Sequence, residues 1–362
     1  MKILFIGKRY YTNRDALTER YGRIYQLPYY WSQMGMDVQL WLVDYHTTKR
    51  SKCVEQRLKV FSSPLKTGCI IKDYLRLKKT INPDLIVASG DSYIGYLGYQ
   101  LAKSLQSRFI FDVYDKYDEF PGYIRFFGFN LFAYLLKKAD SRFFASSYLM
   151  QQLGVASQDH IVLNGIDELR FRNLSRTVAR QHLELDREGH LIGYFGSMEP
   201  DRGVQDLVEA VEDLRKEGLA VKALIAGRSS ENVDLKSEAV IYLGNLPFEK
   251  IPYALAASDV LTIPYRRSAF MDAGSSNKIA EAIACQRPIV ATESPNLTKN
   301  YPKQANSLKP FMARPGEPKD LARAIKKQLE QRFLVDPLEN IYWSEIAKDA
   351  LKHLERIHAS NA

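Results

Sequence analysis

Short apolar runs alternate with stretches of helical period along almost the whole chain. In the first half Lys2–Gly7, Val38–Val43, Asp84–Ser89, Arg108–Val113 and Ser141–Ser146 read as strands. Between them Arg20–Met34, Tyr93–Leu105 and Tyr123–Lys138 read as helices. Such alternation predicts a parallel sheet covered on both faces by helices. Asn164-Gly165-Ile166-Asp167 is a turn signal, and the polar, Arg-rich segment up to His190 reads as a connection. The pattern then restarts. Leu191–Gly196, Val221–Gly227, Val240–Leu243 and Val260–Pro264 read as strands, and Val204, Leu207, Val208, Val211 and Leu214 fall on one face of a helix that starts at Gly203. Pro318–Leu334 and Trp343–Ile357 close the chain as helices. The expected class is α/β, with two Rossmann-like parallel-sheet domains over residues 1–170 and 171–340. Residues 341–362 form a last helix, free-standing or packed back on the first domain. Sheets of this type bind ligands at the carboxyl ends of their strands, so two of them facing each other would make a cleft.

Within this pattern the densest chemistry lies between Ser268 and Thr292. A loop of small residues, Ala273, Gly274, Ser275 and Ser276, runs into a helical pattern over Asn277–Cys285, and Pro288 then opens the apolar run Ile289-Val290-Ala291. A helix N-terminus leaves backbone N–H groups unpaired and carries about half a positive charge, so it favours a phosphate. Lys278 and Glu281 share a face, while Ile279 and Ile283 point toward a core. The lysine suits a diphosphate and the carboxylate suits a diol such as a ribose. A Ser-capped helix with a solvated Lys–Glu pair has the same local sequence, so that alternative stays open here.

Composition narrows the class without naming a reaction. With 46% hydrophobic and 26% charged residues over 362 positions, the chain is globular and long enough for two cores. No apolar run reaches the roughly 18 residues of a membrane span. The opening apolar run is broken by Lys8 and Arg9 and reads as a cytosolic first strand rather than a signal peptide. Cys53, Cys69 and Cys285 are too scattered for a disulfide framework or a metal motif. The net charge of +9 lies entirely in the first half, where residues 1–165 hold 23 Lys and Arg against 14 Asp and Glu. The basic side chains cluster between residues 45 and 80. Such a patch suits an anionic substrate, nucleic acid or an anionic lipid surface, or is simply a solvated face.

Seven landmarks in order carry a family resemblance. They are the opening Met1-Lys2-Ile3-Leu4-Phe5-Ile6 with Gly22 and Gly35 beyond it; Asn164-Gly165-Ile166-Asp167; Gly196-Ser197-Met198-Glu199-Pro200-Asp201-Arg202-Gly203; Glu281-Ala282-Ile283-Ala284; Arg287-Pro288-Ile289-Val290-Ala291; Pro315-Gly316-Glu317-Pro318; and Trp343-Ser344-Glu345-Ile346-Ala347. Together they resemble the retaining glycosyltransferases of the GT-B fold, in the large family 4 of sugar-nucleotide-dependent enzymes. The resemblance implies two Rossmann-like domains facing across a cleft, an acceptor domain first and a nucleotide-sugar donor domain second. It implies donor contacts at Gly22, Gly196, Ser197, Arg202, Gly274, Ser275, Ser276, Asn277, Lys278 and Glu281. Arg202 and Lys278 are the expected catalytic cations, and Asp115 is the expected group that orients or deprotonates the acceptor.

The chain departs from the family pattern at three points. Ser197 stands where the family has an arginine, leaving Arg202 alone of the basic pair, with Arg20, Arg23 and Lys278 as candidates to compensate. Ala273 stands where a second glutamate meets the donor sugar, and Asp272 is one residue out of register. Tyr114 replaces a histidine near the sugar, within an acidic cluster of Asp112, Asp115, Asp118 and Glu119. The resemblance implies a metal-independent reaction with no cofactor, although a divalent metal at this cluster stays open. The implied partners are a nucleotide-sugar and a saccharide or lipid-linked acceptor. The aromatic segment Tyr123–Lys138 and the basic patch suit an anionic membrane face, or the segment is simply buried. The implied location is the cytoplasm, free or on the cytoplasmic membrane face. No motif specific to nucleic acid is present. A non-catalytic relative, an anionic-polymer-binding protein and a sugar-nucleotide epimerase of the same fold are the competing functions.

Overall fold

The computed structural model describes residues 1–360 apart from 12–13, 121, 126, 156, 169–170, 172–173 and 187. The chain divides into two compact units, Met1–Gly165 with Asn340–Ala362, and Ile166–Glu339. The expected domain limit at residue 170 falls outside the described residues. Among those described, no helix is long and apolar enough to cross a membrane.

The first unit is built on an eight-stranded sheet. Its strands are β1 (Lys2–Lys8), β2 (Asp37–Asp44), β3 (Ser51–Glu55), β4 (Leu58–Pro64), β5 (Leu85–Ser89), β6 (Arg108–Val113), β7 (Ser141–Phe144) and β8 (His160–Ile161). Their order is β8-β7-β6-β5-β1-β2-β4-β3, parallel except for the β3–β4 hairpin. The central strands are buried on both faces, which is why they read as continuous apolar runs. The hairpin and the helix Cys69–Thr80 were not foreseen: β3 and the basic helix are largely exposed, and β4, though buried, mixes Val60 and Phe61 with Lys59, Ser62 and Ser63. The helix Tyr123–Lys138 begins only at Leu131. Gly128, at φ 78°, turns the chain, and the Asn130 side chain caps the first turn by accepting from the Ala133 N–H at 3.0 Å. Phe126 of that segment lies outside the described residues.

Arg23 opens the first long helix, Arg23–Gln33, and is 1% exposed. Its guanidinium grips Asp112 with two hydrogen bonds, at 3.0 and 2.6 Å, and donates to the Val162 carbonyl and the Asn164 side chain. A buried bidentate pair of this kind is fully committed. Arg23 therefore cannot serve as the spare phosphate cation that the sequence suggested, and Asp112 drops out of the acidic cluster. Arg20, the other candidate in this unit, pairs with Glu55 at 3.0 Å.

The last helix, Trp343–Ala359, belongs to this unit. The Trp31 indole donates to the Ala347 carbonyl at 2.8 Å, and the His353 ring meets Ser141 Oγ at 2.9 Å while stacking on His160.

The second unit has a six-stranded, wholly parallel sheet. Its strands are β9 (His190–Phe195), β10 (Val221–Ala226), β11 (Val240–Tyr242), β12 (Val260–Ile263), β13 (Ile289–Thr292) and β14 (Met312–Ala313). The order β11-β10-β9-β12-β13-β14 is that of a doubly wound dinucleotide-type fold. Successive connections leave β9 and β12 in opposite directions, so a crevice opens outside the carboxyl ends of these two strands.

Burial, and after it the charge of His160 and then of Arg356, pushes the His353 imidazole down to about 4. A depressed folded-state value means the unfolded chain binds the extra proton first, so this contribution to stability is complete above about pH 6.5. It is lost as pH falls from there toward 4. We expect His353→Gln, which keeps a partner for Ser141 but cannot titrate, to flatten the pH dependence of the urea midpoint across that window. An unaltered slope would show that His353 does not set it.

Candidate functional site

The crevice between β9 and β12 collects most of the expected donor residues. Gly196 and Ser197 follow β9, and Arg202 ends the short 3-10 turn Pro200–Arg202. That turn is tied to the segment after β12. The Arg266 N–H donates to the Asp201 carbonyl at 2.9 Å, the Ser268 hydroxyl donates to Asp201 Oδ2 at 3.1 Å, and Arg266 pairs with the buried Asp206. Gly203, at φ 65°, lies so close to β12 that an added Cβ would fall 1.8 Å from the Pro264 carbonyl oxygen. Only glycine allows this approach.

Tyr265 links the two sides of the crevice. The Arg202 guanidinium lies over its ring, 5.5 Å from the centroid, and its hydroxyl is 2.7 Å from Ser276 Oγ. The helix Asn277–Ala284 therefore starts from a serine whose side chain makes no capping hydrogen bond. The Ser-capped alternative is overturned, because the hydroxyl has turned to Tyr265. Lys278 leans from the first turn across Gly196, where an added Cβ would fall 1.9 Å from Lys278 Cε. Gly196, Arg202, Ser276 and Lys278 are thus one cluster, with Gly274 and Ser275 beside it on the loop and Asn277 at the start of the helix. Glu281 is half-buried one turn further on. Burial, helped by the Glu281 charge, pushes the neighbouring Cys285 thiol up to about 12.

The loop owes its shape to two asparagines. Asn296, 2% exposed, accepts from the Ser276 N–H and donates to the Met271 carbonyl, both at 3.1 Å. Asn300 donates to the Gly274 carbonyl at 3.2 Å.

The electrostatics are mixed but favour an anion. The Arg202 side chain is 20% exposed, so its charge is poorly screened. Glu199 stands 3.7 Å away and takes a 2.6 Å hydrogen bond from Arg228. Burial works against the Glu199 charge, but hydrogen bonds from Ser197 and Arg228 more than offset it and hold the carboxyl below its usual range. Three polar atoms here are buried without a hydrogen-bond partner among the described residues: Arg202 Nε, a donor, and Glu199 Oε2 and Asn277 Oδ1, both acceptors, the first two facing each other at 3.7 Å. Orphans of opposite kind in one crevice suit a ligand that carries both acceptors and donors.

Other expectations fare differently. Asp272 is 7% exposed and held by Arg267 through contacts of 2.8 and 2.9 Å, so it does not stand in for the missing glutamate. Ala273, at the end of the short helix Ala269–Ala273, is buried. Gly22 and Asp115 lie in the first unit. Gly22, at φ 73°, starts the helix Arg23–Gln33, and half-buried Asp115 follows β6, accepting from the Lys116 N–H at 3.2 Å. Tyr114 in the same loop is buried and donates to the Gly90 carbonyl at 2.9 Å. No three His, Cys, Asp or Glu side chains among the described residues are grouped to hold a metal ion.

Tyr265, Asn296, Asn300 and Arg228 were not foreseen. Their sequence signals are faint: a tyrosine just after a strand, and two asparagines around a four-residue helix, Pro295–Thr298.

Residues 189–331 match the family model for Glycosyl transferases group 1. The 2-deoxystreptamine glucosyltransferase of Streptomyces kanamyceticus is 27% identical over 197 residues, 51% of this chain and 49% of that protein. The chain thus spans about half the length of the curated relatives it matches. Among solved structures, the sucrose-phosphate synthase of Thermosynechococcus elongatus is similar over 99% of this chain and 100% of that one, with TM-score 0.74 and 15% identity. The Anabaena protein HepE, solved in complex with UDP and glucose, is similar over 98% and 100%, with TM-score 0.66 and 16% identity. Two parallel-sheet α/β units and these likenesses identify the fold as GT-B, and residues 189–331 are similar to the glycosyl transferases group 1 family.

Proposed function

We propose that the chain is a cytoplasmic glycosyltransferase of the family 4 type that takes a sugar from a UDP-sugar and passes it, with retention of configuration, to a saccharide or lipid-linked acceptor. The observation that carries this reading is the convergence of Arg202 and Lys278, through Tyr265 and Gly196, on an uncapped helix N-terminus at the switch point of the second sheet. The UDP and glucose held by the Anabaena structure support uridine diphosphate as the carrier.

In this reading the diphosphate lies against the first turn of the helix Asn277–Ala284. Backbone N–H groups, Arg202 and Lys278 meet the charge that grows on the leaving oxygen as the glycosidic bond breaks, and these groups supply most of the rate. Arg202 Nε, which faces Glu199 Oε2 at 3.7 Å without a hydrogen bond, donates to a phosphate oxygen in this reading. Glu281 accepts from the ribose hydroxyls. With retention the acceptor oxygen attacks from the face the phosphate vacates, so no protein nucleophile is needed, and the leaving phosphate can take the acceptor proton. Asp115 in the first unit orients the acceptor hydroxyl. Neither a metal nor another cofactor enters these steps.

The helix Cys69–Thr80 supports a membrane-facing acceptor. It exposes Ile71 and Leu75 at 67% and 52% beside Lys72, Lys78 and Lys79, a combination that suits an anionic bilayer surface.

Thermal shift with UDP tests the donor site. A ligand at a hundred times its dissociation constant stabilises by about 2.7 kcal/mol. We expect Glu281→Ala to abolish that shift. Arg202→Ala should weaken UDP binding by roughly 10- to 100-fold, and Tyr265→Phe, which keeps the ring under Arg202, by less than about 10-fold. Undiminished UDP shifts in all three variants would mean the site is elsewhere. Product analysis separates transfer from epimerisation, since only transfer needs an acceptor. For the membrane surface, Ile71→Ser with Leu75→Ser should reduce co-sedimentation with phosphatidylglycerol vesicles several-fold; equal sedimentation of wild type and variant would reject that face.

A further inference from the structure

The second unit has another concave feature, at the amino ends of its strands, opposite the donor crevice. A cavity of about 550 Å³ opens where β9, β10 and β12 begin, beside His190, Ala220 and Asp259. A six-residue strand such as β9 spans about 20 Å, so this cavity is roughly that far from Gly196. Cationic side chains dominate its wall, with Arg176, Arg180, Lys326 and Arg332 set against Asp259 and Glu330.

Asp259 holds the floor together and is oversubscribed. It is 8% exposed and receives Arg176 on Oδ1, while Oδ2 accepts from Arg180 at 2.6 Å and from the Leu191 N–H at 2.8 Å. His190 Nδ1 lies 3.9 Å from the same oxygen. Arg180 is 3% exposed and also donates to the Ala257 and Gly189 carbonyls, so it acts as scaffold. One carboxylate therefore balances two guanidinium groups. Arg287 adds a third nearby, its Nε buried without a partner among the described residues. Burial first, and then repulsion from Arg176, lower the pKa values of Arg180 and Arg287, outweighing the opposing fields of Asp259 at Arg180 and of Cys285 at Arg287. At the mouth, Arg332 is exposed and Lys326 reaches Glu217, a surface pair worth little.

We propose that this cavity binds a small phosphate-bearing anion at a site separate from the donor crevice. Planar guanidinium forks match phosphate oxygens, and a ligand with two or more negative charges corrects the local excess. The volume lies in the range of small-molecule sites. The inference does not rest on the glycosyltransferase reading, because it uses none of the donor residues.

The test is a thermal-shift titration of the full chain with sodium pyrophosphate against sodium chloride of equal ionic strength, with and without saturating UDP. Wild type should gain several degrees under both conditions. Glu281→Ala should keep the gain. Lys326→Gln with Arg332→Gln, at a half-buried and an exposed position that leave the Asp259 floor intact, should weaken the response at least about 10-fold. The proposal fails if pyrophosphate gives no shift, if the double variant responds as wild type does, or if UDP or Glu281→Ala removes the shift. Sedimentation with phosphatidylcholine vesicles carrying phosphatidic acid identifies the source. Binding that is lost in the double variant assigns the anion to a lipid headgroup; vesicle binding absent or unchanged in it, with the pyrophosphate response lost, assigns it to a free phosphate compound.

Discussion

The hydroxyl pair between Tyr265 and Ser276 decides what the second unit can do. A serine at the start of a helix ordinarily turns its side chain back to satisfy the first amides. Here the hydroxyl is drawn sideways to a tyrosine at the carboxyl end of β12, and the Ser276 amide is held instead by Asn296. The first turn of the helix Asn277–Ala284 is left without a side-chain cap, next to Lys278 and across from Arg202. In an ordinary surface helix that arrangement would waste a cap worth about 1 kcal/mol. At a switch point, in the reading proposed above, it prepares an anion site in advance, so little reorganisation remains when a phosphate arrives.

That position is itself a consequence of topology. Because the strand order reverses between β9 and β12, the segments leaving these strands diverge and open a crevice that neither strand alone would make. Close packing then narrows it. Gly203 seats the 3-10 turn against the Pro264 carbonyl, and Gly196 leaves room for the Lys278 stem. Larger residues at either glycine would push the two cations apart. At the other end of the same strands, Asp259 gathers Arg176 and Arg180 to fix the floor of the sheet. One unit thus has two cationic regions with different construction, one backed by helix amides and one by side chains alone.

The parts of the fold that were legible in the sequence are those whose signal is local. Lys2–Gly7, Arg108–Val113 and Val221–Gly227 form central strands buried on both faces, so their apolar runs gave them away. The hairpin Ser51–Pro64 was not legible, because its edge strand carries Lys52 and Cys53 outward like any polar segment, and its buried strand sets Lys59, Ser62 and Ser63 among few apolar residues. The loop from Gly274 to Glu281 announced itself through small residues and a Lys–Glu spacing. What pins it did not, since Tyr265 and Asn296 act through contacts that exist only once β12 and β13 are side by side. Arg23 was misread for the same reason. Its partner Asp112 lies 89 positions away, and a buried ion pair leaves no mark on either local sequence.

The central claim is that the entrance to the helix Asn277–Ala284 grips a nucleoside diphosphate. Hydrogen–deuterium exchange of the full chain with and without UDP tests it most directly, because amides that donate to phosphate, or are shielded by it, slow their exchange. The account predicts protection confined within the second unit to peptides spanning residues 196–203 and 271–284. UDP that binds while those peptides exchange unchanged would contradict it.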